Sequence, residues 1–350
     1  NNSKMNGRKE SRMVSEGERV AIIGSGNWGT VIARIVGDNV KRHKGFDSQV
    51  RMWVYEEIIQ GRKLTDIINE DHENVKYLPD YKIPENVVAK PELLDTIDNA
   101  TVLIFVIPHQ ANIELFLVHP KAKAITLIKG FDVSETGILP VSETIKDKLC
   151  IPVCTLSGAN IANEIAAQNF SETTIGCSVL EEGQLFQKIF ETDYFRVGII
   201  EDVTGVELCG ALKNVIAIGA GIVDGLKMGE NAKAAIIRVG FLEMKKFIQM
   251  FYHGVKEETF FESCGIADVI ATCYGGRNRK VAEAHVLTGK SFEELENELL
   301  NGQKLQGTLT AKELYMVLSR KKLESEFKLF TTIYRIAYEN LPPEKIAQDI

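Results

Sequence analysis

No run of 18 consecutive apolar residues occurs in the 350-residue chain, so no membrane-crossing helix is expected. The longest candidate, Val215 to Val223, suits a buried helix segment. The N-terminus lacks the apolar stretch of a signal peptide, and Gln348-Asp349-Ile350 matches neither a peroxisomal nor an ER-retention signal. Cysteines are few: Cys150, Cys154, Cys177, Cys209, Cys264 and Cys273, with no C-x-x-C pair. In a chain of this size they read as reduced core thiols in a reducing compartment. The six histidines form no H-E-x-x-H motif and no zinc-like pairing with cysteine, so no metal is expected. Basic residues are outnumbered 41 to 48, giving a net charge of -7. That excludes whole-surface affinity for nucleic acid or anionic membrane, while a local anion site stays open. Repeats and low-complexity segments are absent. A hydrophobic fraction of 45% and a charged fraction of 25% exclude wholesale disorder and collagen-like structure. A protein of the cytosol is expected.

At about 150 residues per domain, the length suggests two domains. Residues 1–17 are polar and aperiodic, and read as a disordered or expression-derived tail. From Glu18, strands alternate with helices. Arg19 to Ile23 reads as a strand, followed by a glycine turn and a helix through Val36. Val50 to Tyr55 alternates as a second strand, with Asp38 to Gln49 as an inserted loop between them. Thr101 to Ile107, Ala124 to Ile128 and Val153 to Leu156 are continuous apolar runs, as expected of parallel strands buried on both faces. This pattern predicts an α/β fold with a doubly wound parallel sheet. Near residue 200 the strand signals fade. Thr204 and Glu207 fit a capping box heading a long apolar helix to about Leu226. Ala232 to Phe251 is amphipathic, and Ser291/Glu294 and Thr310/Glu313 fit two more capping boxes. The prediction is a sheet domain over 18–200 and an all-helical domain over 201–350.

Gly24-Ser25-Gly26-Asn27-Trp28-Gly29 is a G-x-G-x-x-G turn between a strand and a helix. Its glycines permit a tight turn, close approach of a pyrophosphate, and packing of helix on strand. The helix N-terminus then offers N–H groups and a positive dipole end to phosphates. Glu56 and Glu57 follow the second strand. One of them would hold a ribose hydroxyl and favour NAD over NADP, or both are solvated residues at a helix start. Tyr55 is an alternative contact to adenosine. Arg51 and Arg62 weaken the case against a 2′-phosphate.

Ligands of open parallel sheets bind beyond the carboxyl ends of the strands. That edge collects Pro108-His109-Gln110, Lys129-Gly130 and Ser157-Gly158-Ala159-Asn160. Lys129 would place an ammonium at the cleft, or be an exposed loop lysine. His109 is a poorer catalytic candidate. Lys213 and Asn214 stand inside the apolar stretch Val206 to Val223. A lysine there must snorkel, pair, or occupy a polar cavity, where desolvation would lower its pKa toward neutrality. Asp268 and Thr272, at i and i+4, share a helix face. Gly275-Gly276-Arg277-Asn278 is a glycine turn with an arginine and an amide at its exit, suited to a phosphate or carboxylate, or a basic solvated loop to which Arg279 and Lys280 add charge. Gly302 to Gly307 is a polar loop, either a lid or a turn.

GSGNWG, LIKG, SGAN, ELCGALKNV, GIADVIATCYGGRN and GQKLQG, in this order, resemble NAD-dependent glycerol-3-phosphate dehydrogenase of the eukaryotic cytosolic type, from about Arg19 to the C-terminus. The resemblance implies an N-terminal Rossmann-type domain and a C-terminal helical domain, as in 6-phosphogluconate dehydrogenase-like proteins, and a homodimer. It implies an oxidoreductase that reversibly reduces dihydroxyacetone phosphate with NADH to sn-glycerol 3-phosphate, linking glycolysis to glycerolipid synthesis and cytosolic NADH reoxidation. Lys213 matches the family's proton donor and acceptor. Lys129, Asn214, Asp268 and Thr272 match residues around the reacting oxygen and phosphate, and Arg277 and Asn278 match the substrate-phosphate site. Ala162, Lys304 and Gln306 match cofactor contacts, with Arg277 near the cofactor as well; Tyr55, Pro108, Lys129 and Asn160 complete the expected cofactor edge. Ala111 stands where an aromatic is usual and Tyr55 where phenylalanine is common.

Two other readings are weighed. A related hydroxyacid or sugar-nucleotide dehydrogenase is one; a four-electron oxidase would need a nucleophilic cysteine, for which Cys264 is the sole candidate in an apolar setting. A non-catalytic NADH-sensing protein is the other, and it would be expected to have lost Lys213 or Arg277.

Overall fold

The computed structural model describes residues 17–108, 118–134 and 137–348. Of the expected tail over 1–17, residues 1–16 lie outside the described residues, as do His109, Gln110 and Ala111.

Eight strands form one sheet: β1 (Glu18–Ile23), β2 (Phe46–Trp53), β3 (Val87–Lys90), β4 (Val102–Phe105), β5 (Lys123–Thr126), β6 (Val153–Ser157), β7 (Ser171–Gly176) and β8 (Phe195–Ile200). Their spatial order is β8-β7-β6-β5-β4-β1-β2-β3. All pairs are parallel except β6 with β7, which is antiparallel. The sheet is therefore mixed rather than wholly parallel, and β3 at one edge and β7 and β8 at the other extend it past the strands read from sequence. The strand order reverses at β1, so the glycine turn after β1 sits at the switch point where such sheets bind ligands.

The sheet is covered on both faces by helices α1 (Asn27–Arg42), α2 (Leu64–Asp71), α3 (Leu93–Ile97), α4 (Val141–Leu149), α5 (Ala162–Ala166) and α6 (Leu180–Phe190). Side chains alternate across a strand. Val20 and Ile22 of β1 accordingly join one core with Val31 and Ile32 of α1 and Phe186 of α6. Ala21 and Ile23 join the other with Ile97 of α3 and Ile145 of α4. The expected insertion at 38–49 is not a loop. Residues 38–42 are the last turn of α1 and 46–49 the first half of β2. Val36 and Val40 bury the i, i+4 face, and Asn39 donates to the carbonyls of Ile189 (3.1 Å) and Glu191 (2.9 Å).

The rest is helical: α7 (Val203–Gly225), α8 (Glu230–Phe251), α9 (Asp268–Gly275), α10 (Arg277–Thr288), α11 (Phe292–Leu300), α12 (Gln306–Arg320) and α13 (Lys328–Tyr338). Helix α7 spans 23 residues, close to the helix expected to run to about Leu226, and by length and apolarity it could cross a membrane. However, 94% of its most apolar window is buried inside the fold, where it forms the axis of the helical core. Thr204 is not its cap. Asp202 is, its Oδ1 accepting from Gly205 N (2.8 Å), while Oδ2 accepts from Lys256 N (2.9 Å) and the Thr259 hydroxyl (2.5 Å). The box at Thr310/Glu313 is absent too, because α12 starts at Gln306. Ser291/Glu294 is a complete capping box. Five cysteines are buried, but Cys150 is exposed, unlike the expected core thiol.

Candidate active site

Gly24 has φ of +125°, and a Cβ there would lie 2.6 Å from the Val106 carbonyl oxygen. At Gly29 a Cβ would lie 2.6 Å from the Gly24 carbonyl oxygen, so only hydrogen lets α1 meet the turn. Gly26 differs: a Cβ there meets nothing within 4 Å. Packing does not require that glycine, and the space beside it is open. Helix α1 begins here with no side-chain cap and no acidic residue in its first turn, so its dipole and N–H groups suit an anionic pyrophosphate. Buried Asn74, which the sequence reading missed, braces the turn by donating to the Ser25 carbonyl (2.9 Å) and the Thr30 hydroxyl (2.9 Å). Asn27 is spent internally, donating to the Tyr77 carbonyl (2.8 Å) and Asn163 Oδ1 (2.9 Å). Trp28 packs edge-on against Phe195. The turn thus offers backbone, rather than these two side chains, to a dinucleotide.

Glu56 and Glu57, read either as ribose contacts or as solvated residues at a helix start, both make contacts within the protein. Glu56 accepts from Thr65 N (3.2 Å) and Oγ1 (2.6 Å) at the start of α2. Glu57 pairs with Lys76 and accepts from the Tyr77 hydroxyl (3.0 Å); the Lys76 contact holds its carboxyl below the usual range. Both arginines are committed as well. Arg51 donates to the Asp95 and Asp98 carbonyls, and Arg62 forks onto Asp71 (2.6 Å) and Glu70 (2.7 Å). Neither arginine is poised for a 2′-phosphate. Tyr55, 72% exposed, stands beside them.

Strands β1, β4, β5 and β6 are parallel neighbours, so their carboxyl ends lie side by side. This edge carries the glycine turn, Pro108, Lys129, and the Ser157–Asn160 turn that leads to Ala162 on α5. Asn160 Nδ2 donates to the Glu172 carbonyl (2.7 Å).

Facing this edge, Lys213 of α7 is buried. Its Nζ donates to Asp268 Oδ1 and to Thr272 Oγ1 (2.8 Å), and Thr272 Oγ1 also donates to Asp268 Oδ1 (3.2 Å). Asp268 Oδ2 is buried without a hydrogen-bond partner, and Lys129 Nζ stands 3.6 Å from it. Burial, then the positive charge of Lys129, lowers the Lys213 pKa to about 7 against the opposing pull of Asp268. Lys213 can therefore both give and take a proton near neutral pH.

Three contacts dock the segment after Lys129 onto the helical domain. The hairpin after it, Phe131–Ser134 with Gly137–Pro140, buries Phe131 and Ile138 in the helical core rather than in the sheet cores, and the Tyr252 hydroxyl donates to the Ile138 carbonyl (2.6 Å). Glu207 of α7, not a capping-box partner, accepts from Ser142 N (3.1 Å) in the first turn of α4. The strand end carrying one lysine is thereby docked onto the helix carrying the other.

Asn278 is buried and engaged at both ends of its amide. Its Nδ2 donates to Asn214 Oδ1 (3.1 Å), and its Oδ1 accepts from Gly307 N (2.8 Å), bracing α7, α10 and α12. Exposed Arg277 donates to Gln303 Oε1 (3.3 Å), so the GGRN turn meets the 302–307 loop. In that loop Lys304 pairs with Glu296 (3.0 Å), and Gln306 opens α12. Arg279 adds no free charge; it pairs with Asp224 (2.7 Å) and Glu283 (3.1 Å). Cys264 is fully buried. Among the described residues, no group of three or more His, Cys, Asp or Glu could hold a metal ion.

A dinucleotide turn at a switch point, opposed by a desolvated lysine–carboxylate centre, defines a nicotinamide-dependent dehydrogenase. Residues 19–182 match the family model for the NAD-dependent glycerol-3-phosphate dehydrogenase N-terminus, and residues 202–348 match that for its C-terminus. The human glycerol-3-phosphate dehydrogenase 1-like protein is 53% identical over 334 residues, covering 94% of this chain and 95% of that one. A Drosophila ezoana protein named cytoplasmic glycerol-3-phosphate dehydrogenase [NAD(+)] is 53% identical over 339 residues, covering 95% and 97%. The solved glycerol-3-phosphate dehydrogenase of Plasmodium falciparum superposes with a TM-score of 0.92 at 40% identity, covering 96% and 95%. That of Saccharomyces cerevisiae gives 0.89 at 43%, covering 95% and 98%. The chain belongs to the NAD-dependent glycerol-3-phosphate dehydrogenase family.

Proposed function

We propose that the chain catalyses the reversible NADH-dependent reduction of dihydroxyacetone phosphate to sn-glycerol 3-phosphate in the cytosol, as a homodimer that needs neither nucleic acid nor membrane. The cofactor domain spans 18–200 and the catalytic domain 201–350. The observation that carries this reading is Lys213, buried between Asp268 and Thr272 and faced by Lys129 at the edge where a dinucleotide fits.

NADH supplies a hydride when bound. Gly24 to Gly29 receive its pyrophosphate on backbone N–H groups, and Pro108, Lys129, Asn160 and Ala162 flank it. Negative charge grows on the substrate's carbonyl oxygen as the carbonyl carbon is reduced. Lys213 and Lys129 stabilise that charge, and Lys213 Nζ delivers the proton to the oxygen. Asp268 and Thr272 hold the Lys213 amine in place, and in the reverse reaction Lys213 takes the proton back. Arg277 binds the substrate phosphate; Asn278 and Asn214 set its place. Lys304 and Gln306 close on the cofactor from the 302–307 loop.

Loss of NADH absorbance with dihydroxyacetone phosphate as substrate tests this directly. Turnover is expected, with none for 2-keto acids. An inactive protein that binds NADH would mean a sensor, and turnover of keto acids alone would mean a related hydroxyacid dehydrogenase.

A further inference from the structure

One hydroxyl joins the two halves of this site, and no motif in the sequence marks it. Ser263 is buried, with its side chain against the outer part of the sheet. Its Oγ donates to the Glu172 carbonyl (2.8 Å) and accepts from Ala159 N (3.4 Å). The same Glu172 carbonyl receives Asn160 Nδ2. Gly158 is packed so closely that a Cβ there would lie 2.8 Å from Ser263 Oγ. The serine is thus fastened to the Ser157–Asn160 turn on the cofactor edge.

The next residue is fastened too, since Cys264 N donates to Thr174 Oγ1 of β7 (3.3 Å). Ser263–Ala267 forms a π-helical turn that runs directly into Asp268. A π turn carries more residues per turn than an α-helix, so it resets the rotational phase of whatever follows. The phase of α9 matters here. Asp268 and Thr272 face Lys213, whereas Ile270 and Tyr274 are 50% and 53% exposed. Rotating α9 would turn the acid away from the lysine.

We propose that Ser263 is a positioning residue for hydride transfer, its hydroxyl setting the catalytic carboxylate against the cofactor edge through the π turn. It touches neither substrate nor cofactor; it acts through Asp268. The inference rests on the dehydrogenase reading above, and its variants are compared with wild-type protein that reduces dihydroxyacetone phosphate.

The experiment uses the full chain carrying Ser263→Ala and, separately, Thr174→Val, which removes the second fastening with little change of shape. Measured are kcat, KM, the NADH dissociation constant by fluorescence, melting temperature, and the pH profile of kcat. A misplacement of about 1 Å at a reacting centre costs up to about 100-fold. Each variant is expected to lose roughly tenfold or more in kcat while NADH affinity stays within about threefold. The alkaline limb of the reduction profile should move to lower pH, because a retreating Asp268 no longer supports the Lys213 ammonium. A merely structural serine would lower the melting temperature and leave kcat and the pH profile of the folded enzyme unmoved; that result overturns the proposal. If Ser263→Ala does not fold, Ser263→Cys, which keeps the side chain's shape but weakens its bond to the Glu172 carbonyl, decides by the same criteria. Absence of activity in the wild type would instead sink the dehydrogenase reading.

Discussion

Replacing Lys129 by methionine keeps most of the side chain's length and removes its charge. Lys129 and Lys213 approach opposite oxygens of Asp268. Two ammonium groups sharing one carboxylate repel each other, by roughly 2 kcal/mol or more at an effective dielectric near 20. The Lys129 side chain is 36% exposed, so solvent screening takes about half of that, leaving about 1 kcal/mol. That is somewhat under one pKa unit. The sign follows from the cation. Lys129 disfavours the charged form of Lys213 and helps lower its pKa to about 7; its removal moves that value upward. In reduction the ammonium is the donor, so kcat is flat at low pH and falls as pH rises through the Lys213 pKa. The falling limb should shift upward by about 0.5 to 1 unit, while the plateau drops because one charge no longer stabilises the oxygen. In oxidation of glycerol 3-phosphate the free amine is needed, and the rising limb should shift the same way.

The assay is NADH absorbance over about pH 5.5 to 9 at saturating substrate. Using kcat reports groups in the enzyme–substrate complex and avoids titration of the free substrate's phosphate, whose second pKa is near 6. Asp268→Asn supplies the opposite sign, since Asp268 supports the Lys213 ammonium. A limb that stays put or moves down in Lys129→Met would show that Lys129 does not set the Lys213 pKa, and would refute the electrostatic account of the centre.

Three further outcomes are expected. Lys213→Ala should lose roughly 10³-fold or more in kcat yet retain NADH fluorescence binding, because the glycine turn lies on the sheet side; near-normal kcat would make this lysine structural. Arg277→Ala should cost roughly 2–5 kcal/mol in kcat/KM with dihydroxyacetone phosphate and change little with dihydroxyacetone, which has no phosphate to hold. Equal losses with both would mean that the arginine serves only its contact with Gln303 or the cofactor. NADH should be preferred over NADPH by at least about tenfold in kcat/KM, about 1.4 kcal/mol: Arg51 and Arg62 are committed elsewhere, and the Glu56 and Glu57 carboxylates follow the second strand. Comparable turnover of both cofactors would remove that argument.

Local signals in the chain were readable where a local interaction decides the structure. The glycine turn was one, because Gly24 and Gly29 are required by contacts within the turn and its adjoining strands. Ser291/Glu294 was another, since both capping partners lie within one turn. The misreadings share a cause. Thr204 fits the capping pattern, but Asp202 takes the cap because one buried carboxylate there also satisfies Lys256 N and the Thr259 hydroxyl, more than fifty residues away. Thr310 fits equally well, yet α12 starts earlier because Asn278, from another helix, caps Gly307 N. The polar stretch 38–49 looks like an insertion until Asn39 finds two carbonyls at the end of α6.

The same distinction separates the catalytic parts from their assembly. Asp268 and Thr272 share a face by spacing alone, and Lys213 draws attention because a charged residue interrupts an apolar helix. Composition cannot say that these two segments, fifty-five residues apart, meet in one ion pair, nor that a hairpin after Lys129 buries Phe131 and Ile138 in the other domain's core. On the proposed mechanism, those contacts make an expensive buried lysine the proton carrier. Removing Lys213 from water penalises its ammonium, Asp268 recovers part of that penalty, and Lys129 limits the recovery so that the pKa stops near 7. A stronger pairing would hold the proton too tightly to transfer, and a weaker one would leave an amine with no proton to give. The hairpin and the π turn therefore belong to the chemistry as much as the lysine does, because they set the two distances on which that balance depends.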